Sequence, residues 1–162
     1  MLPSEVAGLL RGEAAEDAWE PVFLLLTVSS DGYAQVCQLS RAEIEVGQGQ
    51  HGADVIRGVI RARRTIANLH RDGRGLLVVV GGQSAYYLRL RTATVLEEDG
   101  GRTLAVAFAV DGAEDDTLGI PLRPMMFQSS SYVRDRERWD DNRALLGRLA
   151  DTESTGNSEG SR

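Results

Sequence analysis

The chain has 162 residues, a formal net charge of −6 and 18 basic residues, all of them arginine. That length can bury one sizeable hydrophobic core without disulfide staples, and 42% hydrophobic with 26% charged residues matches an ordinary globular domain. The acidic balance argues against nucleic acid or an anionic membrane as partner, and no apolar run reaches the roughly 20 residues of a membrane span.

The chain opens Met1-Leu2-Pro3-Ser4-Glu5, with no basic region leading into an apolar core, so the expected location is the cytoplasm. A lone cysteine, Cys37, excludes an intramolecular disulfide and agrees with a reducing compartment. Ser4 reads as an N-cap, with Val6, Leu9, Leu10 and Ala14 at helical spacing over residues 5–17. From Pro21 the pattern turns to strands: the apolar run Val22 to Val28, a Ser29-Ser30-Asp31-Gly32 turn, then Tyr33 to Ser40, which together predict a hairpin. Alternation at Ile44 and Val46 extends the second strand to Val46, before a polar loop at residues 47–52.

Residues 54–62 fit a helix about as well as a strand, and Gly58 with the β-branched residues favours the strand. Arg63 to Arg71 reads as a short helix closed by Asp72-Gly73. Strands follow at Leu76 to Val80, Ala85 to Leu96 and Thr103 to Val110, separated by glycine turns. In the last of them Leu104, Val106, Phe108 and Val110 face one way and Ala105, Ala107 and Ala109 the other. A face of alanines leaves space for another backbone, either a helix or a second subunit. An acidic loop at Glu114-Asp115-Asp116, an extended Gly119 to Pro124, a helix from Arg134 to Ala150 and a disordered tail from Asp151 complete the reading. The expectation is one mainly β (α+β) domain over residues 1–150, its antiparallel strands closed into a barrel flanked by helices, followed by a tail at 151–162.

Six arginines (Arg57, Arg61, Arg63, Arg64, Arg71 and Arg74) face one acid, Asp72, between positions 57 and 74. Arg61, Arg63, Arg64 and Thr65 would gather at the start of the short helix, where free N–H groups and the helix dipole favour an anion such as a phosphate. The alternative is a solvated helix face paired with surface carboxylates. Cys37, between Val36 and Gln38, reads as a packed hydrophobe rather than a nucleophile. His51 and His70 with one cysteine give no zinc pattern, and neither a Gly-x-Ser-x-Gly elbow nor a P-loop is present.

Phe23 to Val28, then Asp31-Gly32-Tyr33-Ala34, then Arg64-Thr65-Ile66-Ala67-Asn68-Leu69, then Gly81-Gly82 with Tyr86-Tyr87-Leu88 occur in an order that resembles one family over residues 5–110. It is the FMN-binding split-barrel family typified by pyridoxamine 5'-phosphate oxidase. The resemblance implies a split barrel, FMN as cofactor, oxidoreductase chemistry on an unknown substrate, and a homodimer. It also implies Gln38, Ser40, Asn68 and Gln83 as ring-holding residues beside the phosphate-binding Arg61, Arg63, Arg64 and Thr65. Where many relatives carry lysine, this chain has Thr65, so a deazaflavin, haem, or a cofactor-free sensor or binding module stays open.

Overall fold

The computed structural model describes residues 2–49 and 52–155. A first helix, α1 (Ser4–Leu10), starts from Pro3 rather than from a Ser4 cap and is shorter than the periodicity predicts. The chain is extended at Arg11. Beyond it Ala15 N–H donates to the buried Glu20 carboxylate (3.0 Å) and Ala18 N–H to Ser129 Oγ (3.1 Å), so these groups are claimed outside a helix. Next come β1 (Trp19–Pro21), β2 (Phe23–Val28) and β3 (Ala34–Leu39). β2 and β3 form the expected hairpin, in register from Phe23↔Leu39 to Val28↔Ala34.

The second strand does not run on to Val46. Glu43 accepts hydrogen bonds from Ser40 N (2.9 Å) and Ser40 Oγ (3.2 Å), closing a turn that breaks it. β4 (Ile44–Gln48) then leaves β3 and pairs with β5 (Asp54–Ile60), so Gly47 and Gln48 are strand rather than loop. Gln50 and His51, within the expected loop, lie outside the described residues.

After β5 comes α2 (Arg63–Asp72), closed as predicted by Gly73 in the left-handed conformation at φ 62°. Three strands follow: β6 (Arg74–Gly81), β7 (Ser84–Glu98) and β8 (Thr103–Thr117). β8 is longer than predicted, because β7 supplies paired backbone as far as Ser84↔Thr117. The acidic residues 114–116 therefore belong to a strand, with Glu114 bridged to Arg89 at 3.0 Å.

A short β9 (Met126–Gln128) pairs with β1 as a separate ribbon. The predicted closing helix is two helices, α3 (Ser131–Arg136) and α4 (Trp139–Thr155), broken where Arg138 adopts φ 54°. Residues 151–155, expected in a disordered tail, are the last turn of α4. Residues 156–162 of that tail lie outside the described residues.

The large sheet has the order β3-β2-β6-β7-β8-β5-β4, antiparallel throughout. A flat sheet of seven strands would hold its edge strands about 29 Å apart, at about 4.8 Å per neighbour. Yet those edges, β3 and β4, are joined through residues 40–43 alone, a link that spans at most about 18 Å. The sheet must therefore curl until its edges approach, a barrel closed by the chain itself and split between β3 and β4. Phe23, Leu25, Leu39, Ile44, Ile56, Leu77, Leu88, Leu104, Val106 and Phe108 share its core with Val6 and Leu10 of α1. Ala105 and Ala107, on the other face of β8, pack with Leu145, Leu146 and Leu149 of α4. A helix, not a second subunit, covers the alanine face.

Candidate functional site

At one end of the barrel the β2–β3 turn stands over α2. The turn is held by Ser29 N–H to Tyr33 O (2.8 Å), Gly32 N–H to Ser29 O (2.9 Å) and Ser29 Oγ to Tyr33 O (2.9 Å). Ser29 Oγ also donates to the Asp31 carboxylate. In α2, Thr65, Ile66, Asn68 and Leu69 are buried, while Arg64, Ala67, Asn68 and Arg71 fall at i, i+3, i+4 and i+7 on one face. Between turn and helix lies an open groove of about 480 Å³, lined by Ser29, Asp31, Tyr33, Gln35 and that helix face. Its size lies in the ligand-pocket range.

The two groove arginines are placed differently. Arg71 is committed: it donates to Asn68 Oδ1 (3.1 Å), to Asp72 Oδ2 (2.6 Å) and to Val28 O, fastening α2 to the end of β2. Asn68 in turn donates to Thr27 Oγ1 (2.9 Å). Arg64 is exposed and has no hydrogen-bond or ion-pair partner among the described residues, though it attracts Asp31 electrostatically. The Ser29 hydroxyl, and after it the backbone and Arg64, hold the Asp31 carboxyl below the usual carboxylate range. The groove therefore presents one available guanidinium opposite one fixed carboxylate.

Of the residues singled out from the sequence, the structure brings Arg64 and Asn68 together in this groove. Arg63 is exposed beside Arg64 but does not line it. Thr65 is fully buried, and its hydroxyl has no hydrogen-bond partner among the described residues. Arg61 lines another cavity, of about 160 Å³, between α4 and the β7–β8 turn, with Asp99, Arg138 and Asp141 among its walls. Gln38 points outward from β3, Ser40 is buried against Glu43, and Gln83 is exposed at the β6–β7 turn, all away from the groove. Sequence reasoning missed Asp31, Gln35 and Arg71 as groove residues. The seven-residue spacing of Arg64 and Arg71 on one helix carried that signal.

The far end of β3 holds a second set of buried polar groups. Burial, with Glu43 nearby, pushes the Cys37 thiol up to about 11, which suits a packed side chain. Burial also raises the Glu43 carboxyl from 4.5 to about 7; Glu137 adds to the rise, while Ser40 and Arg61 oppose it. A carboxyl raised in the folded state leaves the fold with more bound protons than the unfolded chain between pH 4.5 and 7. Stability therefore falls as pH rises through that window. Glu43→Gln, which keeps an acceptor for Ser40, is expected to stabilise the protein by about 2 kcal/mol at pH 8 and by little at pH 4.5, as read from urea midpoints. Among the described residues no group of three or more His, Cys, Asp or Glu could hold a metal ion, and no helix is long and apolar enough to cross a membrane.

No family model and no curated protein matches the sequence. Solved structures do. One described as an F420 reductase superimposes with a TM-score of 0.51 at 14% identity, covering 70% of this chain and 98% of the other. The flavin reductase of styrene monooxygenase from Pseudomonas putida S12 gives a TM-score of 0.52 at 8% identity, covering 70% and 89%. The chain has the antiparallel split-barrel fold of these structures. At these identities the likeness concerns the path of the backbone, so what this split barrel binds has to be argued from its own residues.

Proposed function

We propose that this split barrel binds a flavin-type cofactor in the groove between the β2–β3 turn and α2, and that it is a flavin-dependent oxidoreductase. The observation that carries the reading is Arg64: an exposed guanidinium in the first turn of α2, without an ion-pair partner among the described residues, lining a groove of ligand size. Such a group, beside the free N–H groups of a helix start, suits a phosphate. Asn68, fixed by Thr27 and Arg71, offers a pre-oriented amide, and Tyr33, 75% exposed at the rim, offers an aromatic face. When bound, the cofactor supplies the hydride chemistry, and the protein supplies orientation and electrostatics. FMN, implied by the sequence resemblance, and the deazaflavin named in the first structural neighbour are the ligands to try.

Arg64→Ala is expected to weaken FMN binding about ten- to a hundredfold with the fold intact, since one charge-assisted contact is worth about 1.5 to 3 kcal/mol. Riboflavin, without the phosphate, is expected to bind the unmodified protein much more weakly than FMN. Equal affinities for the two, measured by fluorescence titration of apo-protein, would remove the phosphate from this reading.

The proposal includes a homodimer, with its interface moved from the alanine face that α4 covers. The outer face of β3, β2 and β6 carries Val36 and Val28, 45% and 53% exposed, beside half-buried Leu24, Leu26, Leu76 and Val78. Two copies joined there would bury a continuous apolar surface. Light scattering at micromolar concentration is expected to give twice the chain mass, and a monomer would count against it.

A further inference from the structure

We propose that Arg71 is a positioning residue: it orients the Asn68 amide so that the groove meets its ligand with an N–H donor and selects a hydrogen-bond acceptor, in a flavin a ring carbonyl. The inference rests on the flavin-type reading above and adds which kind of group on the ring α2 recognises. Asn68 and Arg71 both line the groove. Asn68 Oδ1 accepts from Arg71 Nη1 (3.1 Å), and Asn68 Nδ2 donates to Thr27 Oγ1 (2.9 Å).

Of these two partners only Arg71 decides which way round the amide lies. A hydroxyl both donates and accepts, so Thr27 would satisfy either end of the amide, whereas a guanidinium has only N–H groups to offer and admits only the oxygen. Arg71 is itself held in place: its Nε and Nη2 donate to the Asp72 carboxylate (3.2 and 2.6 Å), and Nη2 also donates to Val28 O. With Oδ1 turned to Arg71 and one N–H given to Thr27, the amide keeps a second N–H that has no partner among the described residues. Asn68 is only 4% exposed, and the groove is open space that it borders. A covered donor left unpaired costs free energy, and an acceptor on the ligand recovers it.

The test uses riboflavin, which keeps the flavin ring and carries no charge, so that losing the Arg71 charge does not by itself change the affinity. Apo-protein is titrated by flavin fluorescence at pH 7.5. Asn68→Asp keeps the shape of the side chain and a partner for Arg71 but has no N–H, and it is expected to bind riboflavin about tenfold more weakly. Arg71→Met, which lets the amide turn over, is expected to cost about fivefold with Asn68 present and less than about twofold when added to Asn68→Leu, where no amide is left to orient. The carbonyl stretching band of bound FMN, read by Raman scattering and independent of riboflavin affinity, is expected to rise in Asn68→Asp and in Arg71→Met, because a hydrogen-bond donor lowers it. Riboflavin binding by Asn68→Asp within about twofold of the unmodified protein, an Arg71→Met loss of the same size with and without Asn68, or an unmoved band overturns the inference and leaves the flavin-type reading standing. Failure of the unmodified protein to bind FMN removes that reading and this inference with it.

Discussion

Replacing Arg57 with alanine is expected to destabilise the protein by about 3 kcal/mol, read from the urea midpoint, and ending the chain after Asp151 is expected to cost a comparable amount. Arg57 is 7% exposed on β5. It reaches Glu153 of α4 (Nε, 2.5 Å), Glu45 of β4 (Nη1, 3.1 Å) and the Gln48 carbonyl (3.5 Å). One guanidinium thus joins the last turn of α4 to both strands of the β4–β5 pair. Breaking a buried ion pair from one side costs about 3 to 5 kcal/mol, because the partner is left uncompensated, and Glu153 is itself largely covered. Gly47 is part of the same fitting: a Cβ there would lie 2.0 Å from Arg57 Nη1. The double variant Arg57→Met with Glu153→Leu is expected to recover most of the loss, since it removes the buried pair together with its desolvation penalty and leaves only Glu45, 42% exposed, to be met by solvent. A truncation that leaves the midpoint unchanged would mean that α4 does not depend on the Arg57–Glu153 pair.

Leu149→Ala is expected to be as damaging, at about 2 to 5 kcal/mol. Leu149 has no exposed surface and packs with Ala105 and Ala107 through the helix–sheet layer. Truncating a buried leucine loses its transfer free energy and leaves a cavity, and the cost depends on how far the site can collapse. Here one wall is the backbone of a central strand, paired on both sides, so little collapse is available. The reciprocal change, Ala107→Leu, fills space that α4 already occupies and is expected to cost about 1 to 3 kcal/mol. If either substitution shifts stability by less than about 0.5 kcal/mol, the helix does not depend on this layer.

These two regions also show what could be read from the sequence and what could not. Period-two alternation in 103–110 separated the large face from the alanine face, and Asp72-Gly73 marked the end of α2, because both signals are local. The break at Ser40 and Glu43 was not legible: Ile44 and Val46 continue the alternation, and only pairing with β5 shows that the chain has changed neighbours. Similarly, a polar run from Asp151 reads as a tail until Arg57, 96 residues earlier, is found to hold Glu153. The arginine cluster divided for the same reason. Arg57, Arg61 and Arg64 are close in sequence, but the strand's alternation and the start of α2 send them to an ion pair, a cavity under α4 and the groove.

The split between β3 and β4 bears on how the groove could change shape. In a fully paired barrel, strand number and stagger fix the circumference, and widening it means breaking backbone hydrogen bonds. Here the sheet is a rolled strip whose two long edges are tethered at one end by residues 40–43. Its girth is set by what lies inside it, Leu39 and Ile44 at the seam and Val6 and Leu10 from α1. A change of volume at those four side chains can therefore be taken up as a change of bore, with every rung of the ladder intact. β3 also carries Ala34 and Gln35 into the groove at its other end, so an adjustment at the seam would be felt where the ligand is proposed to sit.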